Sequence, residues 1–366
     1  MAAEQRQIQL INLDQELATL WDKEQGQNRT RACLFNLVIY TQKAHRDQFY
    51  KELIKSVISK YPCRVIWITS DDTAKEPYLR SSVASETIGE GSQQIFCEII
   101  HIEVAGKLSE RVPYIILPQI VPDLPVYLLW TQDPATENAI LPALEPFAYR
   151  IIFDSEASVD LQEFSHSVLS LINRFHCEVG DLNWTALSGW RKTVSSVFDT
   201  PKMLAYLSQS RLIQITYNKV GSNHFQHSEF EAAYMQGWLA AQLGWEFKKI
   251  EKSEGNLRLT YRTPTQEIAI LLIPQEVSTL PPGAMLNLEI ESAQDKAHFV
   301  FQRKPESRQI FVQYSDQNRC DLPFYASIPG MAEGQEIIEE IFYHHPGTHY
   351  RNTLGLLATI PWKEAL

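Results

Sequence analysis

Two short apolar runs, residues 34–40 (LFNLVIY) and 63–69 (CRVIWIT), bracket a segment of helical periodicity, and that spacing constrains the fold more than any other feature. Each run is apolar and rich in β-branched residues, the pattern of a strand buried on both faces. Between them Phe49, Leu53, Val57 and Ile58 recur at helical spacing. The helix must stop before Tyr61-Pro62, because the residue preceding proline is driven out of the α region. Strand, crossover helix and second buried strand make a βαβ unit, which requires a parallel sheet.

The same reading extends along the chain. Residues 73–92 are polar and are expected to form a long loop. Residues 94–104 place Ile95, Cys97, Ile99 and His101 on one face, the pattern of a less buried edge strand. A proline-interrupted helix is expected over 108–121, strands over 126–130 and 149–153, and a helix over 161–175. Residues 181–210 read as mostly helical, with Ser188 as an N-cap and a break at Thr200-Pro201. Beyond them come a strand at 212–217, a helix at 228–243 stopped by Gly244, and short strands at 257–261, 268–273, 285–290, 297–301 and 310–314. Strands so closely spaced are expected to pair as antiparallel hairpins. Helices follow at 334–343 and 350–358. The expected fold is therefore α/β. It has an N-terminal three-layer, mainly parallel sheet domain (1–178), a helical connector (179–210) and a C-terminal α+β domain with antiparallel strands (211–366).

Composition narrows the partners. With 366 residues, of which 44% are apolar and 21% charged, the chain can bury two cores. Its net charge of -11 opposes binding to nucleic acid and to anionic lipid. Prolines 113, 118, 122 and 125 interrupt the longest apolar run, so it is no regular membrane helix. The N-terminus lacks the basic and apolar regions of a secretory signal. Five scattered cysteines without a CxxC pair fit reduced thiols in a cytoplasm.

Catalytic signatures are missing. No P-loop, HExxH, GxSxG or EF-hand spacing occurs. Gly89-Glu90-Gly91 lacks a third glycine and precedes a strand, so it makes a poor dinucleotide fingerprint. His224 with His227, and His344, His345 and His349, lie in turn-like sequence without a completing ligand, so no metal is expected. Asp123, Asp133 and Asp154 stand at strand ends, where carboxylates are catalytic in some α/β proteins. Turn formation and capping are the commoner role. Arg64 opens a strand and is expected to pair with a surface acid, with phosphate binding as the alternative.

What remains specific is a pair of segments, residues 111–134 (RVPYIILPQIVPDLPVYLLWTQDP) and 181–199 (DLNWTALSGWRKTVSSVFD). Trp and Arg dominate protein–protein hot spots, while interior packing competes for the same residues. Read with Asn36-Leu37-Val38, Pro62, Arg64-Val65, Cys97-Glu98-Ile99, Asp154-Ser155 and Gly237-Trp238-Leu239 to Leu243-Gly244-Trp245, these blocks make the chain resemble the OpcA family, the glucose-6-phosphate dehydrogenase assembly proteins. The chain departs from the pattern at Thr131 and Gly189, and residues 283–366 offer no matching block. The resemblance implies a cytoplasmic, non-catalytic protein that needs no cofactor. It would bind glucose-6-phosphate dehydrogenase and promote its active oligomer, supporting the oxidative pentose phosphate pathway. The expected partner-binding residues are Asp123, Leu124, Pro125, Trp130, Asp181, Trp184, Trp190 and Arg191. The competing reading is a sugar-phosphate-binding or hydrolytic α/β enzyme that uses Arg64 and the strand-end aspartates.

Overall fold

Apolar runs that cannot face water pair side by side, and in the first half of the chain they pair in parallel. A computed structural model describes residues 8–9, 12–26, 29–43, 46–88, 94–222, 225–263, 265–304, 307, 309–328, 335–342 and 347–365. Nine strands form the first sheet: β1 (Ile8–Gln9), β2 (Arg29–Arg31), β3 (Asn36–Gln42), β4 (Arg64–Ser70), β5 (Tyr78–Ile88), β6 (Gln94–Ala105), β7 (Val126–Trp130), β8 (Arg150–Phe153) and β9 (Glu178–Asp181). The order β6-β4-β3-β7-β8-β9 is parallel throughout. Counted along the chain, those six strands stand third, second, first, fourth, fifth and sixth. This is the doubly wound order, which reverses direction between β3 and β7. Leu37, Ile39, Val65, Ile66, Leu129, Ile151 and Ile152 are buried on this sheet. Each fully buried aliphatic side chain contributes about 1.5–3 kcal/mol.

Two expectations fail here. Residues 78–88 are a strand, not a loop, and pair antiparallel with β6 from Tyr78–Ala105 to Ile88–Ile95. The cross-strand partner supplies what a polar composition does not. β6 is consequently not an edge strand: β5 pairs along one side of it, β2 and β4 along the other. Its deeper face carries Phe96, Ile100, Ile102 and Val104.

The first unit comprises residues 1–157, 171–182 and 333–344, and the second comprises 158–170, 183–332 and 345–366. A helix from late in the chain, Gln335–Phe342, thus completes the first unit. Ile337, Ile338 and Ile341 join its core, and the Tyr127 hydroxyl donates to the Ile341 carbonyl at 3.0 Å. Glu340, also buried, pairs with Arg150 at 2.6 Å. Gly180 makes room for that carboxylate, because a Cβ at this position would overlap it.

The second unit holds eight strands: β10 (Ser210–Asn218), β11 (Glu246–Ser253), β12 (Asn256–Arg262), β13 (Glu267–Gln275), β14 (Met285–Ser292), β15 (His298–Arg303), β16 (Gln309–Ser315) and β17 (Phe324–Ser327). Hairpin pairing holds for β11-β12-β13 and for β14-β15-β16-β17. β13 and β14 do not pair with each other. β10 lies between them, parallel to β13 and antiparallel to β14. The detour is fixed by buried Asn218, which donates to the carbonyls of Val277, Leu280 and Pro281 and accepts from the Val277 amide. Helix Phe230–Gln242 is buried along most of its length. It meets helix Gly347–Leu357 at Gly237, where a Cβ would come within 2.9 Å of Leu357. Ser188 begins a helix without capping it, whereas Thr200 does cap one, accepting from the Met203 amide at 3.3 Å. No helix among the described residues is long and apolar enough to cross a membrane.

Candidate functional site

In a doubly wound sheet the ligand crevice opens at the carboxyl ends of the strands, where the order reverses. Here that place lies beyond β3 and β7. A dinucleotide pyrophosphate needs glycines after the first strand, so that backbone amides at the next helix N-terminus can approach it. The chain has no glycine between Asn36 and Ile58. Arg46 precedes helix Asp47–Ile58 with φ of 52°, and its guanidinium is buried. It donates to Asp154 at 2.5 Å, and the Tyr50 hydroxyl donates to the same carboxylate oxygen at 2.8 Å. The Glu156 amide donates to the other oxygen at 3.1 Å. Burial, reinforced by the Asp154 charge, pushes the Tyr50 phenol well up. A carboxylate of the chain itself therefore engages the cation that precedes this helix and the Tyr50 hydroxyl on it.

Neighbouring strand ends are tied in the same manner. Asp71, just after β4, accepts from Lys43 at 2.7 Å, from the Thr73 hydroxyl at 2.8 Å and from Tyr78 at 2.8 Å. The Lys43 bond leads these in holding its carboxyl far below the usual carboxylate range. Gln42 donates to Asp72 at 2.8 Å. Asp181, the last residue of β9, accepts from the amide and hydroxyl of Ser155 at 2.9 and 3.1 Å. Tyr40 and Trp130 stack with ring centroids 4.0 Å apart, and Thr131 donates to the Tyr40 carbonyl at 2.8 Å.

The residues expected to meet a partner divide sharply. Trp130 and Asp181 are buried in the first unit, and Trp184, Trp190 and Arg191 are buried in the second. Arg191 lies 3.6 Å over the Trp184 ring and donates to the Trp184 carbonyl. Trp184 also packs against Tyr234 and Tyr350. Asp123 and Pro125 are exposed and Leu124 is half-buried. Their loop is clamped by buried Asn36, which accepts from the Val121 amide at 2.8 Å and donates to the Val121 carbonyl at 3.0 Å, while its own amide donates to Pro125 at 2.9 Å. Asp123 sits at φ of 64°, a left-handed conformation that Asp tolerates better than most residues.

The remaining candidates have ordinary partners. Asp133 is a turn-former, accepting from the Ala135 amide at 2.8 Å. Arg64 pairs with an acid, but a buried one: its Nε donates to Glu98 at 2.6 Å and its Nη1 to the Gln119 carbonyl at 2.6 Å. Arg31 and Trp21 converge on the same Glu98. His224, His344, His345 and Gly89-Glu90-Gly91 fall outside the described residues, among which no cluster of three metal-ligating side chains occurs. Arg46, Tyr50 and Asn36 were missed as site residues by sequence reasoning. The one local signal was the glycine-free stretch after β3.

The first unit's sheet has the doubly wound α/β order. A 3-ketoreductase from Actinomadura kijaniata, solved in complex with TDP-benzene and NADP in an open conformation, superposes with a TM-score of 0.52 at 10% identity, covering 89% of this chain and 96% of that one. At that identity the likeness concerns the fold alone. The family is shown by sequence. Residues 55–169 match the family described as glucose-6-phosphate dehydrogenase subunit N-terminal domain, and residues 177–352 match its C-terminal domain. The chain belongs to the OpcA family. Proteins provisionally named OxPP cycle protein OpcA from Synechocystis sp. and Nostoc punctiforme are each 26% identical to it, over 193 and 206 residues. Those matches cover 52% and 54% of this chain, and 39% and 42% of the relatives. The chain thus spans about two fifths of the length of these relatives.

Proposed function

We propose that this chain is a non-catalytic partner of glucose-6-phosphate dehydrogenase. In this reading it binds the enzyme in the cytoplasm, favours the active oligomer and so supports the oxidative pentose phosphate pathway. The family match supports the choice of partner. The observation that carries the non-catalytic half is the Arg46–Asp154–Tyr50 cluster at the switch point, where the fold would otherwise receive a dinucleotide. An assembly factor acts by binding one state of its partner more tightly than another, and it shifts that equilibrium by no more than the difference in affinity. Among the motif residues, Asp123, Leu124 and Pro125 supply contact, while Trp130, Asp181, Trp184, Trp190 and Arg191 each serve the interior of their own unit.

The test is NADPH production by the dehydrogenase of the same organism, with and without the chain, with mass read by light scattering. A rise in activity together with a larger mass is expected, and no change in either overturns the reading. A thermal-shift series with NADP and sugar phosphates completes it. No stabilisation of the chain alone is expected, and stabilisation by one of these ligands would move the enzyme reading to the front.

A further inference from the structure

The opposite edge of the first unit's sheet, where its parallel strands begin, carries side chains that folding alone does not account for. Backbone bonds place the strand starts side by side: the Leu34 amide donates to Pro62 at 2.9 Å, Asn36 to Pro125 at 2.9 Å, and Tyr149 to Val126 at 2.8 Å. Leu34 is 51% exposed, Phe147 55%, Tyr149 47% and Phe342 39%. Exposed Pro125 and Asp123 lie on the same edge. The aromatics rest on a buried layer, with Tyr149 5.8 Å from Tyr127 and Phe342 5.8 Å from Phe35, centroid to centroid. Phe342 also packs on half-buried Tyr61 at 4.2 Å.

We propose that this edge is the surface that docks glucose-6-phosphate dehydrogenase, taking an apolar face of the enzyme with a basic group opposite Asp123. The proposal rests on the functional reading above. A contiguous apolar patch with exposed aromatics marks a protein interface. Aromatics already seated on buried neighbours lose little freedom on binding. Charge selects the occupant. The rim carries the carboxylates of Asp123 and of Glu178, which is 58% exposed in its pair with Arg150. Against them stand Arg150, which offsets Glu178, and Lys60, so Asp123 is the exposed charge to be matched, and the whole chain carries a net charge of -11. Two copies of a chain of this net charge repel each other, and anionic lipid is disfavoured for the same reason. A basic, apolar protein surface is what complements this edge.

The test is affinity for the dehydrogenase, measured by biolayer interferometry. The wild type is compared with Phe147→Ser/Tyr149→Ser, with Asp123→Asn, and with Phe324→Ser/Tyr325→Ser on the exposed β17 strand of the second unit. Circular dichroism verifies that each is folded. The edge double variant should weaken binding by about tenfold or more. Asp123→Asn should weaken it less and flatten its salt dependence, and the β17 variant should bind as wild type. An edge variant that binds as wild type, or a loss confined to the β17 variant, overturns this proposal and leaves the functional reading standing. A wild-type chain that does not bind the dehydrogenase overturns both.

Discussion

The two edges of the first sheet invert the usual division of labour. In doubly wound proteins the carboxyl edge is open and chemical, and the amino edge is turns. Here the carboxyl edge carries the chain's own ion pairs, Arg46 with Asp154 and Lys43 with Asp71, while the amino edge leaves Leu34, Phe147, Tyr149 and Phe342 in water. A fold does not fix a function. What changed is which edge is finished by side chains of the same molecule and which is left for another.

The strongest attempt to break the contrast is Asp154→Ala. It leaves Arg46 buried without its carboxylate and should destabilise the protein by about 3–5 kcal/mol in urea unfolding. Wild-type stability would mean that this ion pair is dispensable. Trp190→Ala should cost a similar amount, about 3–5 kcal/mol, by opening a cavity around a fully buried ring. A folded, stable Trp190→Ala that fails to activate the dehydrogenase would instead return that tryptophan to the contact surface. Gly180→Ala should cost about 1–3 kcal/mol by crowding Glu340. Combining it with Glu340→Ala should show coupling in a double-mutant cycle, and strict additivity would refute the contact. Phe147→Ser/Tyr149→Ser should change stability by no more than about 0.5 kcal/mol, as expected of exposed positions. A large loss would show that the amino edge serves folding.

The smallest effect concerns pH. Burial on β6, with a lesser push from Lys51, holds the His101 imidazole below its ordinary value, against the opposing pull of Glu103. Its proton is therefore bound more readily in the unfolded chain. Its contribution is fully present above about pH 6.5 and is lost as pH falls through that value toward the folded one. Thermal melts of His101→Gln should show a shallower acid decline than wild type, and parallel declines would rule His101 out.

The sequence discloses some of this molecule readily. β3, helix Asp47–Ile58 and β4 were legible because a strand buried on both faces must be apolar without alternation, and prolines mark the ends. β5 was illegible: Ser81, Ser82, Ser85 and Glu86 have no local reason to be extended, and eleven residues of β6 supply it. The insertion of β10 between β13 and β14 depends on the Asn218 bonds to a distant loop. The buried ion pair joins Arg46 to a residue 108 positions away, beyond any periodic pattern. The P-D-L-P and W-R blocks stood out as motifs, yet composition could not separate a tryptophan that meets a partner from one that fills an interior. Trp130, Trp184 and Trp190 are all buried.

The late helix Gln335–Phe342 has a consequence for the order in which the protein is made. Domains generally fold from the N-terminus as they leave the ribosome. Here Arg150 emerges long before Glu340, and every strand of the second sheet, through Ser327, is synthesised in between. The second sheet can close while the first still lacks its final helix. A nascent chain whose residues through 332 have emerged would thus carry every strand of both sheets, while the first unit lacks its last helix and the second its residues 345–366, with Tyr127 and Phe35 uncovered to whatever chaperone is at hand.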